Sequence, residues 1–338
     1  MLYEVDTMDG VMLSRPRHVL EVSDLTKADI ENIIAISSLK NPERVLDGQG
    51  VALIFEHPSA RTRNAAEMAV FQLGGHPITI SGNEIGIDKR ETAEDIARVL
   101  ARFHSLIAAR VADHNTLIRM ADAIDNSTRH VPVVNLLSDR DHVTQILADM
   151  ITIKQRFSTT EKIKLAYIGD PNNVCGSLFY AAKILGFELS ISSPYQYFLQ
   201  AKFISGFLSD EEQKTHPGDG FFQQVTENIS LYTNPLAAVE NADVLYTDVF
   251  VSMGEESIAQ EKKKDFENYI IDTDLVAHAK KTAIVMHCLP AHRGEEITGE
   301  VLESAQSVVF DQAENRMHAM RALFAYILGG TVTEGRGK

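Results

Sequence analysis

The feature that most constrains this chain is an alternation: short runs rich in aliphatic and β-branched residues take turns with longer stretches of helical period. The runs at 51–55, 76–80, 105–109, 131–135, 164–168, 187–192, 244–247, 283–286 and 307–310 are each expected to be strands. Strands separated by helix-length segments need crossover connections, and crossovers give parallel sheets flanked by helices. Two segments repeat one plan. Residues 51–80 (VALIFEHPSARTRNAAEMAVFQLGGHPITI) and 164–191 (KLAYIGDPNNVCGSLFYAAKILGFELSI) each read strand, polar turn, helix, glycine stop, strand. A chain of 338 residues exceeds what one core usually organises. The expected class is therefore α/β, with two doubly wound parallel-sheet domains at 1–145 and 146–312 linked by interdomain helices. One of these runs through Ile146-Leu147-Ala148-Asp149-Met150-Ile151. A further helix is expected near 315–328, with Met317, Met320, Leu323, Phe324 and Ile327 on one apolar face. The Gly-rich, charged tail after it is expected to fray.

Composition narrows the partners. Thirty-two basic against 47 acidic residues leave a net charge of −15, which repels nucleic acid and anionic lipid. An anionic substrate must then be drawn by a local basic cluster. Two cysteines, Cys175 and Cys288, cannot build a disulfide framework, and the first residues, with Asp6 and Asp9, lack a basic stretch leading into an apolar one. No apolar run is long enough for a membrane span. A cytoplasmic protein with neither membrane nor nucleic-acid partners is the expectation.

In open parallel sheets, ligands bind beyond the carboxyl ends of the strands. The polar groups of this chain collect there. Ser59-Ala60-Arg61-Thr62-Arg63 follows the first strand, Arg110 the third, and His142 to Gln145 the fourth. In the second half, Asn172-Asn173, Asp248 and Cys288 each follow a strand. Two such rims facing each other across an interdomain cleft suit an enzyme that grips two substrates. Ser59 to Thr62 would open a helix, whose N–H groups and dipole favour an anion, and Arg61 adds a bidentate phosphate donor. Taken singly, these residues have ordinary explanations: a capping Ser, solvated arginines, turn asparagines, a buried small Cys. Gly169-Asp170-Pro171-Asn172-Asn173-Val174-Cys175-Gly176 lacks the glycine fingerprint of a nicotinamide-binding turn, which disfavours a dehydrogenase.

Taken together, Ser59-Ala60-Arg61-Thr62-Arg63, His142-Val143-Thr144-Gln145, Asp248 with Ser252-Met253-Gly254, and His287-Cys288-Leu289-Pro290 resemble the transcarbamylase family in its own order, from the strand at Val51 to the helix ending near Leu328. The Asp248 loop and the His-Cys-Leu-Pro tetrapeptide resemble the ornithine enzymes more than the aspartate ones. The resemblance implies a carbamoyl-phosphate-binding domain at 1–145, an ornithine-binding domain at 146–312, and a helix within 313–330 that returns to the first domain. Ser59, Ala60, Arg61, Thr62 and Arg110 would line the phosphate, and His142 and Gln145 would address the carbamoyl group. Arg316 would reach the same donor from the last helix. Asn173, Asp248, Ser252, Met253, Cys288 and Leu289 would hold ornithine. The catalytic set is then Arg110, His142, Cys288 and Arg316, with no metal or cofactor, and a homotrimer or a multiple of trimers is implied.

The neutral δ-amine would attack the carbamoyl carbon directly and expel phosphate. A free alkylammonium has a pKa of about 10.4, so the amine must first lose a proton, with Cys288 near Asp248 as the tuning pair. Three departures fall on the donor side: Ala60 stands where the family has Thr, Val143 where it has Pro, and Asn83-Glu84-Ile85-Gly86 supplies no Gln in the loop that serves a neighbouring subunit. Other acceptors (putrescine, lysine, an N-acylated ornithine) and a catalytically weakened ligand-binding relative are the competing readings.

Overall fold

A computed structural model describes residues 18–208, 220–252 and 255–332 of the chain. They form two compact units. The first comprises residues 18–151 with 314–332, the second the described residues of 152–313.

The first unit is built on four strands, β1 (Gly50–Phe55), β2 (His76–Ser81), β3 (Leu106–Arg110) and β4 (Val133–Leu137), in the order β2-β1-β3-β4. Every pairing is parallel, with Val51 opposite Pro77 on one side and Leu106 on the other. Because helices cover both faces of such a sheet, β1 has no polar side: residues 51–55 are all buried. On one face Ala52, Ile54, Ile107, Ala109 and Val133 pack against Ile96, Ala97, Leu117, Met120 and Ile124 of the helices Ala93–Leu100 and His114–Asp125. The spacing of two along each strand and of three or four along each helix produces this match.

The last helix, Val309–Ile327, starts six residues earlier than the apolar stripe predicts. Met320, Leu323 and Phe324 are fully buried, while Met317 and Ile327 are half-buried. The fold-class expectation that this helix returns to the first unit holds. Tyr326 donates its hydroxyl proton to the Asp29 carboxylate, and Arg321 donates to the carbonyls of Ser37 (2.9 Å) and Leu39 (3.0 Å). Gly330 N–H closes the helix end on Ala325 O at 2.7 Å, and residues 333–338 of the tail lie outside the described residues.

The second unit carries β5 (Lys164–Ile168), β6 (Glu188–Ser192), β7 (Phe222–Thr226), β8 (Ile229–Tyr232), β9 (Val244–Thr247) and β10 (Ile284–His287). Their order is β10-β9-β5-β6-β8-β7, parallel except for the antiparallel edge strand β7. Ala166, Ile168, Leu245 and Val285 form one face of its core with Phe250, Phe266, Tyr269 and Ile271. The sequence reading does not anticipate β7 and β8. Gln223 and Gln224 interrupt the apolar pattern of the edge strand β7, and β8 has only four residues, Ser230 among them, too few to stand out. Conversely, the run at 307–310 is not a strand. Ser307 makes one bridge to Val285, and the chain then turns into the last helix with Phe310 exposed, a case where a short apolar run cannot tell strand from helix.

Candidate active site

The polar rim of the first unit follows from its strand order, since β1, β3 and β4 are neighbours and end together. After β1, Ser59 caps the helix Ala60–Gln72, its hydroxyl accepting from Thr62 N–H at 3.4 Å. Ala60 and Arg61 are exposed in the first turn and Thr62 is buried. Arg63 points elsewhere, paired with Glu67 one turn on at 2.8 Å. Arg110 ends β3 and is 8% exposed. After β4, His142 precedes the helix Val143–Phe157 and accepts the first helical bonds, from Gln145 N–H at 2.9 Å and Ile146 N–H at 3.3 Å. Val143 holds the first helical position, where Pro is favoured but not required, and the helix forms with Val there.

From the last helix, Arg316 donates to Gln145 Oε1 (2.6 Å) and to Thr62 Oγ1 (3.2 Å). Gln145 in turn donates from Nε2 to Asp149 at 2.9 Å. The structure thus brings Thr62, Gln145 and Arg316 into direct contact. The electrostatics of the cluster are those of an anion site. Burial disfavours the Arg110 charge, and the Arg61 guanidinium adds repulsion. Burial first, then the charges of Arg316 and Arg110, hold the His142 imidazolium far below its usual range, so this ring is neutral at neutral pH. Cations packed so that each disfavours another's charge gain most from a bound anion.

In the loop that supplies no Gln, Glu84 closes a capping box on Ser81, its carboxylate accepting from the Ser81 N–H and hydroxyl at 3.3 Å each.

In the second unit β10, β9 and β5 are neighbours, and their ends carry the second set. Asn172 caps the helix Asn173–Leu185, its Oδ1 accepting from Val174 N–H (2.9 Å) and Cys175 N–H (3.2 Å). That fixes its amide so that Nδ2 donates to Asp248 Oδ2 at 2.8 Å. Asn173 is the first helical residue and half-buried. Asp248, 6% exposed, also accepts from Val249 N–H and from the Cys288 thiol, each at 2.8 Å to Oδ1. Gly169 permits this close assembly: at φ +135° it holds a backbone conformation that other residues resist, and a Cβ there would meet the Phe250 ring at 3.2 Å.

Cys288 is set by its neighbours. Leu289, in the left-handed region at φ +57°, donates its N–H to His287 Nδ1 at 2.8 Å. His287 Nε2 therefore carries the proton and donates to the buried Glu296 carboxylate at 3.0 Å. Asp248, His287 and Cys288 place one ligand atom each within 4.8 Å of one another, the spacing of a metal set. Both His287 nitrogens are committed to these hydrogen bonds, and the thiol and carboxylate to each other. Ser252 donates its N–H to Glu255 Oε2 at 2.8 Å. Met253 lies outside the described residues. Cys175 is fully buried, and burial pushes its thiol well above the usual range, so it packs as a small hydrophobe.

The sequence reading places Asn172 on the polar rim and quotes His287 beside Cys288 but gives neither a role, and it misses Glu296, and Lys262 with Asp170 and Glu255. Asn172 had a signal, the cap position before a helix. Lys262 had none, since it stands in the charged run Glu261-Lys262-Lys263-Lys264.

Family models match both halves of the chain: "Aspartate/ornithine carbamoyltransferase, carbamoyl-P binding domain" over residues 17–155, and "Aspartate/ornithine carbamoyltransferase, Asp/Orn binding domain" over residues 161–327. The chain belongs to the aspartate/ornithine carbamoyltransferase family. It is similar to the ornithine carbamoyltransferase of Methanococcus aeolicus, 43% identical over 317 residues that span 92% of this chain and 99% of that one. Among solved structures, ornithine carbamoyltransferase from Pyrococcus furiosus is 38% identical with a TM-score of 0.81, covering 93% of this chain and 98% of its own. The anabolic ornithine carbamoyltransferase of Campylobacter jejuni is 35% identical with a TM-score of 0.78, covering 92% and 98%. Like the family, this chain is a carbamoyltransferase. Among the described residues no helix is long and apolar enough to cross a membrane.

Proposed function

We propose that this carbamoyltransferase moves the carbamoyl group of carbamoyl phosphate to the δ-amine of L-ornithine, releasing L-citrulline and phosphate. The observation that carries the donor side is the gathering of Arg61, whose charge opposes that of Arg110, with Arg110 and Arg316, whose charges keep the His142 ring neutral, at the helix Ala60–Gln72 that Ser59 caps. Phosphate bound there takes hydrogen bonds from Ser59, from Thr62 and from the helix N–H groups, and neutralises guanidiniums that otherwise oppose one another. Arg316 is preoriented by Gln145 and Thr62, and the Gln145 carbonyl keeps a second lone pair for a carbamoyl N–H. His142, kept neutral, donates one N–H to the carbamoyl oxygen as negative charge develops there.

On the acceptor side, Asp248 is the natural partner of an α-ammonium, with Asn173 for the α-carboxylate and Cys288, Ser252, Met253 and Leu289 around the side chain. The Cys288 thiol donates to the Asp248 carboxylate, which supports reading the two as the pair that tunes loss of the δ-ammonium proton. The neutral amine nitrogen then forms the new N–C bond, and the C–O bond to phosphate breaks with its electron pair leaving on phosphate. The proton from the tetrahedral intermediate goes to the departing phosphate. No covalent enzyme intermediate, metal or cofactor is required, since binding orients both reactants and the cations stabilise the charge. The proposal includes a cytoplasmic location and the homotrimer or multiple of trimers implied by the family resemblance, an assembly that light scattering tests.

The test is a steady-state assay with carbamoyl phosphate and, separately, ornithine, putrescine and lysine. Saturable ureido product with ornithine alone supports the proposal. Preference for putrescine or lysine overturns the acceptor, and absence of carbamoyl phosphate binding at millimolar concentration overturns the donor site.

A further inference from the structure

One lysine of the charged run is buried. Lys262, on the helix Ala259–Asp265, has a side chain 2% exposed, whereas Lys263 beside it is 41% exposed and pairs with Glu295. An ammonium leaves water only where partners replace its hydration. Three do so here. Nζ donates to Asp170 Oδ2 at 2.8 Å and to Glu255 Oε2 at 2.6 Å, and it lies 5.6 Å from the Tyr197 ring centroid.

Both carboxylates lead to the acceptor residues. Asp170 lies in the turn after β5, where its carbonyl accepts from Asn172 N–H at 2.8 Å, and Asn172 holds Asp248. The Glu255 oxygen that receives Lys262 also accepts the Ser252 N–H at 2.8 Å. Phe250, stacked on Phe266 at 4.8 Å, fixes the middle of the same segment. Residues 248–252 are therefore tied at both ends, and one ammonium joins the two ties.

We infer that Lys262 is a positioning residue for the acceptor: by joining Asp170 to Glu255 it sets the 248–252 backbone, and through it the placement of Asp248 and Ser252 for the amine. This rests on the reading of Asp248 and Ser252 as acceptor residues. Burial raises the Asp170 carboxyl to about 6, and Lys262 beside it opposes that rise.

The test uses the full chain with Lys262→Met, Glu255→Ala and Glu255→Gln. Glu255→Ala leaves the buried Lys262–Asp170 pair in place and carries the test if Lys262→Met does not fold. Glu255→Gln keeps an acceptor for Ser252 and is the conservative rescue. Steady-state kinetics with carbamoyl phosphate and ornithine, and hydrogen–deuterium exchange of the peptide carrying Ser252, are measured for each. Expected are a KM for the amine raised about tenfold in Lys262→Met and Glu255→Ala, a carbamoyl phosphate KM within about twofold of wild type, and near-recovery in Glu255→Gln. The Ser252 peptide should exchange faster in the first two variants. An unchanged amine KM with unchanged exchange, or equal losses for both substrates, overturns the inference. The wild-type protein separates this from the acceptor proposal. If it uses putrescine or lysine in place of ornithine, the same KM ratio is read on that amine, and if it turns over none of them, the exchange data decide.

Discussion

If Asp248 receives the α-ammonium, its substitution should harm ornithine and spare an analogue that lacks this group. The perturbation is Asp248→Asn, and the analogue is 5-aminovalerate, which keeps the δ-amine and the carboxylate. In the protein, the substitution turns one acceptor oxygen into an N–H₂ group. If the remaining oxygen serves Val249 N–H and the Cys288 thiol, the new amide faces Asn172 Nδ2, donor against donor. Asn172 cannot rotate away, because its Oδ1 caps the helix at Val174 and Cys175. The native state should therefore lose about 1–3 kcal/mol, read from a denaturant midpoint, whichever substrate is used. Loss of a buried carboxylate–ammonium pair should remove a further ~3 kcal/mol for ornithine alone, which is roughly a 150-fold fall in kcat/KM. The structural loss is common to both substrates and cancels in the ratio of ratios. Product formation is followed for both substrates in both proteins. A coupling below about threefold would show that Asp248 acts on loop geometry and not on the α-ammonium.

Arg110→Met should weaken carbamoyl phosphate binding about 100-fold by calorimetry, for the loss of charge-assisted bonds of about 1.5–3 kcal/mol each. The ligand-free variant should unfold at the same temperature as wild type or higher, because the surroundings disfavour the charge that is removed. A destabilised variant with intact donor affinity would mark Arg110 as structural. A second prediction concerns acid. Hydrogen bonding from His114, with Arg140 and Ser23 contributing against the opposing effect of burial, holds the Glu21 carboxyl down to about 2. Its folded pKa lies below its unfolded one, so its stabilisation is present above the normal carboxylate range and is lost as pH falls toward 2. Discounted for partial exposure, that contribution is about 1–2 kcal/mol, and Glu21→Gln should flatten the acid limb of a stability-versus-pH curve by this amount. An unchanged limb contradicts the assignment.

What the sequence reveals of this molecule is governed by distance along the chain. Strand β1 is legible because a parallel strand buried on both faces must be apolar at every position, and Ser59, His142, Asp248 and Cys288 stand out because each follows such a strand. Strand β7 is obscured by its polar residues at the sheet edge and β8 by its shortness, and 307–310 is misread because a bridge and a helix start share one apolar run. Contacts across long separations leave no local mark. Arg316 meets Gln145 across 171 residues and Thr62 across 254, and only the family resemblance points to their meeting. Lys262 is hidden differently: its burial is decided by Asp170, 92 residues away, while its own neighbours describe an ordinary solvated helix.

Carbon-13 NMR of a single reaction offers the sharpest test, with [¹³C]carbamoyl phosphate and ornithine labelled with ¹⁵N at the δ position. Transfer of the carbamoyl group to the δ-amine predicts a ureido carbon split by one-bond coupling to the labelled nitrogen, with one phosphate released for each. An uncoupled ureido signal, or phosphate released without any, would contradict it.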